Sequence, residues 1–180
     1  MKKLHIDQLN RLSISEFRKS QKFPLVVVLD DIRSRYNIGS LFRTADAFRL
    51  EKIYLCGITA VPPSREITKT ALGATESVEW EYMDNTPEVV SNLKEAGYAV
   101  YAIEQCEHSN MLQDYLPEAK LAVVFGNEVK GVKQEVIDVC DGCIEVPQFG
   151  TKHSLNISVS AGIIIWDIFS KQKALWEHWK

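Results

Sequence analysis

Apolar residues form short runs that alternate with segments of helical spacing along most of the chain. The run at 24–29 is branched and uninterrupted, which is typical of a strand covered on both faces. Such runs predict strands over 24–29, 52–56, 78–82, 98–103, 121–125 and 143–146. Helical spacing predicts helices over 7–20, 38–49, 64–72, 87–96, 133–140 and 154–170. This alternation predicts an α/β fold, with a mostly parallel sheet flanked by helices on both faces.

Three stretches at the ends of predicted strands, or just beyond them, place amide or hydroxyl side chains beside a tight glycine turn. They are residues 37–43, 124–131 and 146–158. Loops that leave the strand ends of open α/β sheets are where such folds bind their ligands. We therefore expect the three loops to converge into one polar site.

The amides and hydroxyls of these stretches have two interpretations. Asn37 stands at the expected N-cap of helix 38–49, and Ser154 at that of the closing helix. Capping does not explain Asn156 and Ser158, which lie on a helix that is otherwise Ile, Val and Ala. Polar groups in such a place need partners, so we expect a ligand or another subunit to supply them.

Other ligand-binding patterns are missing or incomplete. No G-x-G-x-x-G follows a predicted strand, and no P-loop sequence occurs, which disfavours a nicotinamide enzyme and excludes a P-loop NTPase. Ser154 and His153 suggest a hydrolase, but the G-x-S-x-G elbow is absent and neighbours in sequence do not easily face each other. An enzyme that uses another nucleotide stays open as an alternative.

The composition is that of one soluble globular domain, with 46% hydrophobic and 25% charged residues in 180. No apolar run is long enough for a membrane span, and the N-terminus turns polar too early for a secretory signal, so we expect a cytoplasmic protein. The four cysteines are not expected to form disulfides. Cys140 and Cys143 have a zinc-like spacing without a second pair, so we expect no metal and a helix end that turns into a strand.

Charge is unevenly distributed along the chain, although the net charge is only −3. Residues 76–145 hold fifteen acidic and four basic side chains, so the remainder is strongly basic. Residues 1–22 contribute six bases, and Arg33 and Arg35 lie near the first stretch. Such segregation lets one side of a protein face a polyanion such as RNA. Scattered, solvated charges are the alternative interpretation.

Together the three stretches resemble the motifs of the SpoU (TrmH-type) branch of the SPOUT RNA methyltransferases. The first resembles N-x-G-x-x-x-R through Asn37, Gly39 and Arg43, and the second resembles G-x-E-x-x-G through Gly126, Glu128 and Gly131. The third resembles the family's proline, glycine and S-L-N-x-S pattern through Val146, Pro147, Gly150, Ser154, Leu155, Asn156 and Ser158. The resemblance covers residues 24 to 170, with Gln148 and Phe149 where methionine often follows the proline.

The resemblance implies an α/β fold with a deep C-terminal trefoil knot and a homodimer whose sites are completed across the interface. It also implies S-adenosylmethionine as methyl donor, bound at Gly126, Val146, Pro147 and Leu155. The implied reaction is methyl transfer to a ribose 2′-hydroxyl of RNA, and we favour tRNA over ribosomal RNA. A non-catalytic RNA-binding relic of the same fold is the alternative.

The resemblance also assigns roles to individual residues. Catalytic roles are implied for Asn37, Arg43, Glu128, Ser154 and Asn156. Arg43 is either a base or an electrostatic stabiliser, and the second is physically easier because guanidinium stays protonated. We expect RNA contacts from Arg33, Arg35 and Lys152.

The chain is expected to divide into three parts. These are a basic helical extension at 1–22, which we expect to contribute to RNA binding, a SPOUT methyltransferase domain at 23–170, and a tail at 171–180. We expect the two tryptophans of the tail to cover a neighbouring helix or a partner.

Overall fold

Seven parallel strands and seven α-helices make up the computed structural model, which describes residues 1–5, 8–9 and 11–179. The strands are Phe23–Asp30 (β1), Leu50–Cys56 (β2), Trp80–Met83 (β3), Ala99–Ile103 (β4), Asn110–Met111 (β5), Leu121–Phe125 (β6) and Gly142–Glu145 (β7). The helices are Ile14–Lys19 (α1), Arg35–Ala47 (α2), Arg65–Ala71 (α3), Ala74–Ser77 (α4), Thr86–Glu95 (α5), Gln134–Ile137 (α6) and Ile157–Lys171 (α7). A 3₁₀ turn, Lys173–Leu175, follows α7.

The sheet order is β3-β2-β1-β6-β4-β7-β5, and every neighbouring pair is parallel. Alternate residues of the central strands enter two separate hydrophobic clusters. Leu25, Val27 and Leu29 pack with α2, α3 and α7, whereas Val26 and Val28 pack with α5 and α6. The predicted α/β fold, with a mostly parallel sheet covered on both faces, is confirmed.

Two predicted helix caps are wrong. Helix α2 begins at Arg35, three residues before the predicted start, and its N-cap is Ser34, whose hydroxyl accepts from the Asn37 N–H at 3.3 Å. Helix α7 is capped by Asn156, whose Oδ1 accepts from the Ser158 N–H at 2.8 Å, so Ser154 lies in the preceding loop. Apolar periodicity locates the buried face of a helix but not its polar first turn, which is why both starts were misplaced.

Several shorter elements also differ from prediction. Helix α1 occupies only part of 7–20, because a capping box between Ser13 and Glu16 starts it there. Of the predicted apolar face, Phe17 is buried while Leu9 and Leu12 are exposed, and residues 6, 7 and 10 lie outside the described residues. Helix α6 is shorter than 133–140, and neither α4 nor the two-residue strand β5 was predicted.

Cys106 and Cys143 form a disulfide, contrary to expectation. The loop after β4 carries Cys106 and β7 carries Cys143, and these two strands are neighbours in the sheet. The strand order therefore brings together two cysteines that are distant in sequence. Cys140 does follow a helix end that turns into β7, as predicted, and the described residues contain no cluster of three or more metal-ligating side chains.

The C-terminal tryptophans cover the end of α7, as expected. Trp176 stacks on Phe169 with ring centroids 4.5 Å apart, and its indole N–H donates to the Phe169 carbonyl at 2.7 Å. Arg49 lies over the Trp179 ring at 4.8 Å. Among the described residues, no helix is both long and apolar enough to cross a lipid bilayer.

Gly39 in the first motif is where α2 and α3 approach each other most closely. A Cβ at this position would stand 2.1 Å from Thr70 Oγ1 and 2.4 Å from the Ile67 carbonyl oxygen. Both distances are far below van der Waals contact, so only glycine lets α3 pack against α2 in this way. Since α2 carries Asn37, this packing also fixes where the first motif stands.

We expect Gly39→Ala to lower the free energy of unfolding by about 1–3 kcal/mol, because the added methyl group must push α3 away. Urea unfolding at a fixed protein concentration measures this loss. Gly162→Ala is the matched control, because Gly162 is also helical and a Cβ there meets no atom of this chain within 4 Å. Equal stability of the Gly39→Ala variant and the native chain would contradict the close-packing argument.

Candidate functional site

The carboxyl ends of four neighbouring strands, β1, β6, β4 and β7, meet at one edge of the sheet. The sheet is built outward in both directions from β1 and β6, and ligand crevices of open α/β sheets lie at such a switch in strand order. The loops that leave β4, β6 and β7 surround a cavity of about 990 Å³ there. We call it the first cavity.

Six of the predicted site residues line the first cavity: Gly126, Glu128, Val146, Ser154, Leu155 and Asn156. They come from the loops after β6 and β7. These loops lie close together because only one strand, β4, stands between β6 and β7 in the sheet. Pro147 and Lys152 belong to the same loops but are not among the lining residues. The expected convergence of the second and third motifs is therefore confirmed.

Glu128 joins the second motif to the first. Its carboxylate accepts hydrogen bonds from the backbone N–H groups of Arg33 at 3.0 Å and Ser34 at 2.9 Å. The Asn37 side-chain amide donates to the same carboxylate at 3.3 Å. One carboxylate thus holds the loop after β1 and the first turn of α2 against the loop after β6.

Asn37 extends this network to the third motif. Its Oδ1 accepts from the Asn156 side-chain amide at 3.3 Å, and the Asn156 Oδ1 accepts from both the N–H and the hydroxyl of Ser158. A single chain of hydrogen bonds therefore runs from Glu128 through Asn37 to Asn156 and Ser158. The chain itself therefore supplies partners for the polar start of α7, where we had expected a ligand or another subunit to do so.

The network also determines the charge state of Glu128. Burial of the carboxyl opposes ionisation, but the N–H groups of Arg33 and Ser34 and the Asn37 amide outweigh it and hold the pKa of Glu128 below its usual range. At neutral pH the group is a carboxylate whose lone pairs are engaged by three donors. It is therefore suited to holding loops together and is a poor proton acceptor.

Two residues that sequence reasoning did not select also shape the first cavity. Asn127 donates to the Asp31 carbonyl at 2.7 Å, and its Oδ1 accepts from the N–H groups of Val129 and Lys130. Glu104, at the exit of β4, accepts from the Val132 N–H at 3.0 Å. Glu104 directly follows a predicted strand, and Asn127 is the amide of the second stretch; these positions were the signals that could have identified them.

The predicted arginines and lysine lie away from the first cavity. Arg35 is paired with Glu66 at 3.6 Å, and Lys152 is exposed in the loop after β7. Arg43 is exposed two turns along α2 and makes no hydrogen bond or ion pair with the described residues. Seven residues separate it from the exposed Tyr36, so the two share one face of the helix. The structure does not bring Arg43 to the cavity of its own chain.

Acidic side chains outnumber basic ones around the first cavity. Its lining includes four glutamates, one lysine and one histidine, namely Glu104, Glu107, Glu128, Glu145, Lys130 and His153. Such a lining favours a ligand that carries positive charge over one that carries phosphates. Its volume lies in the range of small-molecule sites.

A family model, the SpoU rRNA methylase family, matches residues 24–166 of the chain. A protein of Staphylococcus haemolyticus described as a TrmH family tRNA/rRNA methyltransferase is 31% identical over 161 residues, which cover 87% of this chain and 64% of that protein. The 23S rRNA (guanosine-2′-O-)-methyltransferase RlmB of Neisseria meningitidis is 32% identical, over 79% of this chain and 56% of its own length. The chain thus spans less than two thirds of these relatives.

Solved structures show the same fold. The TrmH/SpoU tRNA modifying enzyme of A. aeolicus superposes with a TM-score of 0.80 at 23% identity, covering 90% of this chain and 83% of that one. The AdoMet-bound rRNA methyltransferase of Sinorhizobium meliloti gives a TM-score of 0.76 at 24% identity, covering 87% and 60%.

We expect Glu128→Ala to release the loop after β1. The amide hydrogens of Arg33 and Ser34 lose their shared acceptor, so their hydrogen exchange should accelerate by about tenfold, the equivalent of one modest hydrogen bond. Exchange followed by mass spectrometry on peptides covering 31–37 measures this. Glu107→Ala removes another carboxylate of the same cavity and is the control. Unchanged exchange in the Glu128 variant would show that the carboxylate does not hold this loop.

Proposed function

The chain belongs to the SpoU methylase family, and from this premise we propose that it transfers a methyl group from S-adenosylmethionine to a ribose 2′-hydroxyl of RNA. The observation that carries the proposal is the hydrogen-bond chain from Glu128 through Asn37 to Asn156. It unites the three family motifs at the edge of one cavity, although they lie up to 119 residues apart in sequence.

The residues of the first cavity fit the methyl donor. S-adenosylmethionine carries its transferable methyl group on a sulfonium, which needs only an aligned nucleophile. The acidic lining suits the positive charge of that group, and the volume of about 990 Å³ accommodates a molecule of its size. Backbone groups of Gly126, Val146, Pro147 and Leu155 are proposed to hold it.

The chain's own polar residues are proposed to orient the RNA hydroxyl. Asn156 is fixed by Asn37 and Ser158, so its amide presents a defined hydrogen-bonding edge at the cavity. Ser154 lines the same wall and offers a second hydroxyl contact. Alignment of two reactants in this way removes a large part of the barrier to transfer. Arg43 is proposed to stabilise developing negative charge or bind a phosphate, since its guanidinium stays protonated.

The outward position of Arg43 supports a site completed by a second chain. Helix α7 leaves an apolar stripe, Val159, Ile163 and Trp166, between 39% and 55% exposed. Trp166 also contacts Phe48 at the end of α2, with ring centroids 6.0 Å apart, so the stripe lies beside the helix that carries Arg43. We propose that two copies pair through this face and that each brings Arg43 to the other's cavity.

The proposed substrate is tRNA ahead of ribosomal RNA, in the cytoplasm. Relatives named for both kinds of RNA resemble this chain, but the A. aeolicus tRNA modifying enzyme is matched over 83% of its length. The basic segment 1–22 and the side chains of Arg33, Arg35 and Lys152 are proposed to contact the RNA. The same proposal includes the C-terminal knot of the fold family. It also divides the chain into residues 1–22, 23–170 and 171–180.

We expect the purified protein to transfer labelled methyl groups to RNA, and Arg43→Ala to lower kcat by about 100-fold through loss of charge stabilisation. The measurement uses saturating total tRNA or ribosomal RNA, with ribose methylation read by mass spectrometry. Arg65→Ala removes another exposed arginine and should leave kcat within about threefold. Calorimetry with S-adenosylhomocysteine should give unchanged affinity for both variants. Tight binding of NAD in place of S-adenosylhomocysteine, or no labelled RNA, would overturn the assignment.

For the proposed dimer, we expect the native chain to sediment at twice its 20.5 kDa mass at micromolar concentration. Val159→Asp should give monomers, because a charge placed in an apolar interface loses its hydration. Leu116→Asp, at a residue 82% exposed and away from the stripe, is the matched control. A native chain that sediments only as a monomer would remove the shared-site picture.

A further inference from the structure

A second cavity, of about 310 Å³, lies beside the first. The loop after β6 separates the two, and four of its residues, Asn127, Val129, Lys130 and Gly131, line both. The other wall of the second cavity comes from the ends of β1 and β2 and the start of α6: Asp30, Asp31, Arg33, Ile58 and Lys133. A molecule that extends from the first cavity over this loop enters the second.

The charge of the second cavity is opposite in character to that of the first. Three bases, Arg33, Lys130 and Lys133, and two acids, Asp30 and Asp31, line it, and Asp31 pairs with Lys133 at 2.7 Å. Among the described residues, neither Arg33 nor Lys130 forms an ion pair, although the charge of Lys130 helps to lower the pKa of Asp31. The second cavity therefore suits a phosphate, whereas the first suits a cation.

Two aliphatic side chains beside these bases are unusually exposed. Ile58 is 68% and Val129 is 77% accessible, and both line the second cavity. A nucleoside can pack on such an aliphatic surface beside a bound phosphate, because the faces of its base and sugar are flat and largely apolar.

We propose that the second cavity binds the nucleotide of the RNA strand adjacent to the one that is methylated. Its phosphate would contact Arg33 and Lys130, and its base or sugar would lie against Ile58 and Val129. The proposal rests on the methyl transfer proposed above and adds a subsite to it. Such a cavity admits an unpaired, splayed-out nucleotide, so the substrate is a single-stranded or loop region of RNA.

The test compares RNA affinity in matched pairs of variants. The probe is a fluorescein-labelled ten-nucleotide single-stranded RNA of mixed sequence, read by anisotropy. We expect Arg33→Gln and Ile58→Asp each to raise its Kd by about fivefold or more, from a lost phosphate or base contact. Lys173→Gln and Leu116→Asp, at exposed positions outside both cavities, should stay within about twofold. The salt dependence of binding should weaken in Arg33→Gln only.

Independent readouts separate this inference from the proposed function. Thermal unfolding and S-adenosylhomocysteine affinity of the Arg33 and Ile58 variants should match the native chain, because neither side chain lines the first cavity. If the native chain methylates RNA while both variants bind the probe as tightly as it does, the subsite is wrong and the methyl transfer stands. If the native chain neither binds nor methylates RNA, both proposals fall. The same probe as a base-paired duplex should bind more weakly, and equal affinity for the duplex would overturn the subsite.

Discussion

The arrangement of the site depends on one carboxylate that serves three donors. Glu128 sits in the loop after β6 and accepts from the backbone of Arg33 and Ser34 and from the Asn37 amide. A carboxylate is a pure acceptor with room for several donors, so one residue can gather the start of α2, the loop after β1 and the loop after β6. The three hydrogen bonds that let Glu128 hold the loops together also make it a poor proton acceptor.

The loop after β6 also divides two environments of opposite charge. Glutamates from the acidic segment 76–145 line the first cavity, while Arg33 and the lysines at 130 and 133 line the second. The glutamates that suit a sulfonium cation in the first cavity would repel an RNA phosphate placed there. Separation by a single loop lets a charged donor and a polyanion meet only where the reacting atoms are.

The proposed dimer would account for two features of the single chain. Arg43 is exposed on the same face of α2 as Tyr36, and the apolar stripe on α7 is partly exposed. Both features have one explanation if a second copy covers the stripe and supplies the arginine. Gly39 contributes to the site without contacting a ligand. It sets the distance between α2 and α3, and hence the orientation of the helix that carries Asn37 and Arg43.

Hydrophobic periodicity by itself predicted the parallel α/β fold and the apolar side of α7. The motifs by themselves predicted the family and the meeting of the second and third motifs at one site. These features are local, since each strand or helix must bury its own apolar residues whatever its neighbours are. Only the tertiary structure decided which strands are adjacent, because that depends on how whole faces pack together. The pairing of β4 with β7 brings Cys106 to Cys143, and that of β1 with β6 places Asp30 beside the loop that holds Lys130. The caps at Ser34 and Asn156 were likewise set by how polar first turns meet neighbouring loops.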